Sequence, residues 1–93
     1  MLTHEQIVDG IEKAKNEFPL TKVLYFGSYA SGEASDKSDL DLLVEFDKPT
    51  VSILTVIGLK QFMENELKKP VDVIHLPLPK EAIIEIGKTV SVL

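Results

Sequence analysis

The stretch from Phe26-Gly27-Ser28 to Asp39-Leu40-Asp41-Leu42-Leu43-Val44 limits the possible folds of this chain more than any other. Before it, Lys22-Val23-Leu24-Tyr25-Phe26 is apolar and β-branched and stops at a glycine, the pattern of a buried strand. Residues 29 to 37 are rich in Gly, Ser and Asp and read as a loop, with one helical turn after Ser28. A second strand is expected from about Asp39 to Phe46. Leu40, Leu42 and Val44 fall on one of its faces, and Asp39, Asp41 and Leu43 on the other. A core strand with carboxylates at its start and hydrophobes beyond fits a site at the edge of a sheet.

The chemistry of that stretch follows from its spacing. Asp39 and Asp41 project from the same strand face with Cα atoms about 6 to 7 Å apart, so both carboxylates reach a common centre. Like charges held that close need something positive between them. A hard divalent cation such as Mg²⁺ is the usual answer, because it prefers oxygen ligands. Upstream, Gly27 lets backbone approach a ligand closely, while the Ser28 hydroxyl and turn N–H groups can donate to an anion. Metal carboxylates beside a phosphate turn point to phosphoryl or nucleotidyl transfer.

The remaining segments supply a scaffold. Thr3 to Phe18 reads as a helix, with capping-box spacing at Thr3 and Gln6 and an apolar stripe of Ile7, Ile11, Ala14 and Phe18. Pro19-Leu20-Thr21 ends it, and His4, in its first turn, is expected to be solvated and without a role. Asp47-Lys48-Pro49 turns the chain, Thr50 can cap a helix running to about Leu67, and Pro70 terminates it. That helix begins apolar on more than one face, through Val51, Ile53, Leu54, Val56, Ile57, Leu59, Phe62 and Met63. Either sheet and a second helix cover it, or part of it docks a protein partner.

Val71-Asp72-Val73-Ile74-His75-Leu76 is a third, short strand. Asp72 is its lone acid, which costs stability unless paired or liganded. It is a candidate metal ligand or general base, and equally an edge-strand residue facing water. His75 points to the opposite face and suits packing or the surface. Pro77 and Pro79 bracket a turn before a final short helix, Lys80 to Lys88, with Ala82, Ile83 and Ile86 inward and a Thr89–Leu93 tail. Order and lengths give an α/β or α+β fold: a three- to four-stranded mixed sheet with helices mainly on one face.

Bulk properties bound the function. Residues 1–93 make one small domain, and a 44% hydrophobic fraction is that of a globular chain. No apolar run has the length of a membrane span, and the N-terminus is amphipathic rather than a signal peptide, so no membrane is expected. Without cysteine there is no disulfide framework and no thiolate metal site, which suits a cytoplasmic protein. A net charge of −5 argues against a nucleic-acid partner, whose phosphates call for Lys and Arg.

Gly27, Ser28, Asp39 and Asp41 match the Gly-Ser-x10-Asp-x-Asp signature, and the chain resembles the DNA polymerase beta nucleotidyltransferase superfamily. Its segment lengths, Ile57-Gly58-Leu59-Lys60 and Val71-Asp72-Val73-Ile74 look like the minimal nucleotidyltransferases (MNT) over nearly the whole chain. Those are small prokaryotic proteins commonly paired with a helical HEPN-domain protein as a toxin–antitoxin module. The resemblance implies that Asp39 and Asp41 bind two Mg²⁺, that Asp72 completes the carboxylate set, and that Gly27 and Ser28 hold nucleotide phosphates. It implies in-line attack of a hydroxyl on the α-phosphate of ATP, with pyrophosphate leaving. The acceptor would be a tyrosine of the HEPN-type partner.

One departure bears on rate. Many relatives carry an arginine in the loop, a bidentate fork for phosphate oxygens, where this chain has Tyr29, Ala30 and Ser31. Lys37 is the substitute cation in the loop. The alternative function is a catalytically weak fold that neutralises its partner by complex formation alone. A homodimer through the second helix, or a hetero-oligomer, is compatible with its apolar surface.

Overall fold

The structure, a computed structural model, describes residues 1–48, 50–76 and 87–93. Helix α1 (His4–Ala14) starts at a complete capping box: Thr3 Oγ1 accepts from the Gln6 N–H at 3.1 Å, and Gln6 Oε1 accepts from the Thr3 N–H at 2.8 Å. It is shorter than the sequence pattern suggests. Phe18 precedes Pro19, which disfavours helical backbone, and the chain turns out through hydrogen bonds from Glu17 and Phe18 N–H to the Ala14 carbonyl. The Phe18 ring still packs, edge-on to Phe62 with centroids 5.9 Å apart.

Strand β1 (Leu20–Phe26) begins earlier than expected, because Leu20 pairs with Phe46 across an irregularity before Lys22. A four-residue helix α2 (Ser28–Ser31) follows, then β2 (Leu40–Phe46), α3 (Ile53–Leu67), β3 (Val71–His75) and β4 (Thr89–Ser91). The sheet order is β3-β2-β1-β4, with β1 antiparallel to β2 and β4, and β2 parallel to β3. This is the mixed four-stranded sheet that the sequence suggests. β4, however, lies in the segment read as a tail. Three residues carry no periodicity, and only the pairing of Leu24–Phe26 with Thr89–Ser91 makes them a strand. The expected turn at Pro77 and Pro79 and most of the expected helix over Lys80–Lys88 lie outside the described residues. Gly87 and Lys88 themselves are in neither helix nor strand.

Two corrections concern α3. Its cap is Ser52, not Thr50: the Ser52 hydroxyl accepts from the Leu54 N–H at 3.1 Å. Its end is made by Lys68, which adopts a left-handed conformation at φ 55° and donates its N–H to the Glu64 carbonyl, before Pro70 is reached. Both helices pack on one sheet face. Ile7, Ile11 and Ala14 of α1 and Leu59 and Met63 of α3 join Val23, Tyr25, Leu40, Leu42, Val44 and Val71 in a single buried cluster. Gly10 permits the close approach of the helices, since a Cβ there would sit 3.1 Å from the end of Met63. Among the described residues no helix is long and apolar enough to cross a membrane.

Candidate active site

Register brings the motif together. β1 ends at Phe26, which stands opposite Asp41 of β2, and Asp41 stands opposite Asp72 of β3. Gly27 follows directly and turns back over β2, at φ 70° and ψ −147°. That backbone region is open essentially to glycine alone. A Cβ on Gly27 would also lie 2.5 Å from Asp41 Oδ2, so the Asp41 carboxylate would have to turn aside. The Gly-Ser turn therefore rests on the second aspartate of the Asp-x-Asp pair. α2 is held by the buried Ala30 and by hydrogen bonds from Ala30 and Ser31 N–H to the Gly27 carbonyl. The Ser28 hydroxyl has no hydrogen-bond partner among the described residues.

The carboxylates differ in setting. Asp41 is half-buried, and its carboxyl is pushed up from the ordinary aspartate value, first by burial, then by the charges of Asp72 and Asp39 and a hydrogen bond with Asp72. Asp39 is exposed and sits one residue ahead of β2 rather than inside it. Asp72 is exposed on an edge strand, facing water, and stands beside Asp41 in register. Its Oδ1 lies 3.8 Å from Lys60 Nζ of α3. Sequence reasoning assigned Lys60 no role, although it lies in the Ile57-Gly58-Leu59-Lys60 patch that carries part of the resemblance.

The other candidates separate. Lys37, in the polar loop, makes no ion pair with the three carboxylates among the described residues. His75 packs edge-on against Phe46 with centroids 5.2 Å apart, on the face away from Asp72, as its position predicts. His4 is exposed, as expected, and in addition its Nδ1 lies 2.8 Å from the Tyr25 hydroxyl, which ties the start of α1 to β1. An open groove of about 600 Å³, bounded by Phe18, Pro19, Asp47, Val51 and Thr55, lies at the opposite end of the sheet from the carboxylates.

These residues fit a hard divalent cation by donor chemistry. All are oxygen donors, and the Asp41 carboxyl, raised first by burial and then by the charges of Asp72 and Asp39, is one whose ionised form a cation would favour. Among the described residues no three acidic or histidine side chains already stand closed around one point. Binding would have to draw them together.

A glycine turn thus rests on Asp41, with Asp72 beside it in register and Asp39 just ahead of the same strand. The family of the nucleotidyltransferase domain matches residues 8–91. Protein adenylyltransferase MntA of Thermococcus cleftensis is 37% identical over 78 residues, covering 80% of this chain and 78% of its own length. A crystal structure of a toxin–antitoxin with AMP-PNP shares the fold at TM-score 0.76, with 21% identity, over 99% of this chain and 73% of that one. So does a tri-AMPylated Shewanella oneidensis HEPN toxin in complex with an MNT antitoxin, at TM-score 0.70 and 19% identity, over 98% and 72%. The chain belongs to the nucleotidyltransferase domain family and is an enzyme of its minimal branch.

Proposed function

We propose that residues 1–93, as one cytoplasmic domain, transfer AMP from ATP to a tyrosine hydroxyl of a HEPN-type partner and so act as the antitoxin of a pair. The carrying observation is Asp41, held between Asp72 on one strand and the Gly27 turn on the other. The relatives support it: one is a protein adenylyltransferase, one structure holds AMP-PNP, and another pairs an MNT antitoxin with a tri-AMPylated HEPN toxin.

In this reading Gly27 exposes backbone N–H groups, and the Ser28 hydroxyl donates to phosphate oxygens. Asp39 and Asp41 would hold Mg²⁺, with Asp72 beside them at the acceptor. The bound ions would supply a lowered pKa for the attacking hydroxyl and neutralise charge on the departing pyrophosphate. The acceptor oxygen forms a bond to the α-phosphorus as the bond to pyrophosphate breaks. Asp72, exposed on an edge strand, takes the hydroxyl proton.

A second reading, neutralisation by docking alone, is favoured by Ile53, Leu54 and Ile57, which stand 73%, 74% and 43% exposed on α3. Rescue of a host expressing the partner separates the two. Transfer predicts that Asp39→Ala abolishes rescue while the complex still forms. Undiminished rescue by Asp39→Ala would leave docking as the account.

A further inference from the structure

We propose that Lys60 is a positioning residue for Asp72. Its ammonium holds one oxygen of that carboxylate and opposes a free divalent cation there, reserving Asp72 for the acceptor hydroxyl. The inference rests on the nucleotidyltransferase reading and deepens it.

Lys60 has a carboxylate on two sides. It follows the fully buried Leu59 on α3, so its stem leaves the core at a set place. Its Nζ lies 3.8 Å from Asp72 Oδ1 and 3.9 Å from Glu64 Oε2, one helical turn on. That Glu64 oxygen also accepts the Val71 N–H at 3.1 Å, tying the first residue of β3 to α3. The ammonium thus spans the helix and the edge strand that carries Asp72. Among the described residues neither Asp39 nor Asp41 has a basic partner, so the three carboxylates are not equivalent. A cation approaching Asp72 meets a positive charge a few ångströms away, and one approaching Asp39 and Asp41 does not. The pair is 42% and 60% exposed, so the effect is modest in size. In the absence of nucleotide, a divalent ion is left to Asp39 and Asp41.

The test is calorimetric titration of nucleotide-free protein with Mn²⁺, alongside steady-state AMP transfer, for wild type, Lys60→Met and Lys60→Arg. Lys60→Met should bind Mn²⁺ about threefold to fivefold more tightly, the scale of one half-exposed charge pair. Its kcat should fall about tenfold, with KM for ATP within about twofold, because the loss is in orientation of the reacting groups. Lys60→Arg should return both towards wild type. Unchanged or weaker Mn²⁺ binding by Lys60→Met overturns the inference, as does a raised KM with unchanged kcat, the behaviour of a phosphate contact. Tighter Mn²⁺ binding in Lys60→Met, with a wild type that transfers no AMP, would keep the charge effect and remove the transferase reading. An active wild type that Lys60→Met matches in both measurements would remove the inference alone.

Discussion

Gly27 meets two demands at once, a backbone conformation closed to other residues and a Cα pressed against Asp41. Gly27→Ala should therefore cost about 1–3 kcal/mol of stability, measured by chemical denaturation, and abolish transfer by displacing the Asp41 carboxylate. Asp41 carries the opposite trade. Its carboxyl is raised in the folded protein by burial and by Asp72 and Asp39, so the folded state favours the protonated form and loses stability as pH rises through that range. Asp41→Asn should raise Tm at neutral pH modestly, since the carboxyl is only half-buried and solvent screens its neighbours' charges, while eliminating transfer. The gain should fade as pH falls from the raised Asp41 range to the ordinary aspartate range, and be gone below it, where wild type is protonated in both states. An unchanged Tm difference across that range would contradict the assignment. Both residues are legible in the sequence, since the Gly-Ser and Asp-x-Asp spacing names them. Their contact is not, because only strand register sets Phe26 against Asp41. Lys60 is invisible for a related reason: its partner Asp72 lies on another element, and no local pattern joins them.

At the scale of elements, α1 was readable because a capping box and an apolar stripe at helical period agree. α3 was readable in extent but not in its cap. Thr50 and Ser52 are both good capping residues, and only the geometry chooses Ser52. Ser52→Ala should cost about 1 kcal/mol in thermal or chemical denaturation, and Thr50→Ala close to nothing. The two apolar faces of α3 also part company. Leu59→Ala, at a fully buried position, should cost about 2–5 kcal/mol. Leu54→Ala, at an exposed one, should leave stability within about 0.5 kcal/mol and lower affinity for a docked partner. Equal costs at the two positions would contradict the packing. β4 escaped the sequence because three residues paired only through β1 leave no signature of their own.

Among the described residues, α1 and α3 cover one face of the sheet, and the carboxylates emerge at the end where β1 closes and β2 and β3 open. The architecture follows from a few short apolar runs and their punctuation, which is why it could be read ahead of the structure. The acceptor could not, because it belongs to a different molecule. The central claim is that these carboxylates move AMP onto a partner. The most direct measurement is the intact mass of the protein encoded beside this one, co-expressed with wild type or with Asp39→Ala/Asp41→Ala. Transfer predicts mass increments of whole AMP units with wild type alone, mapping to tyrosine. An unmodified partner held in a stable complex by both versions would contradict it.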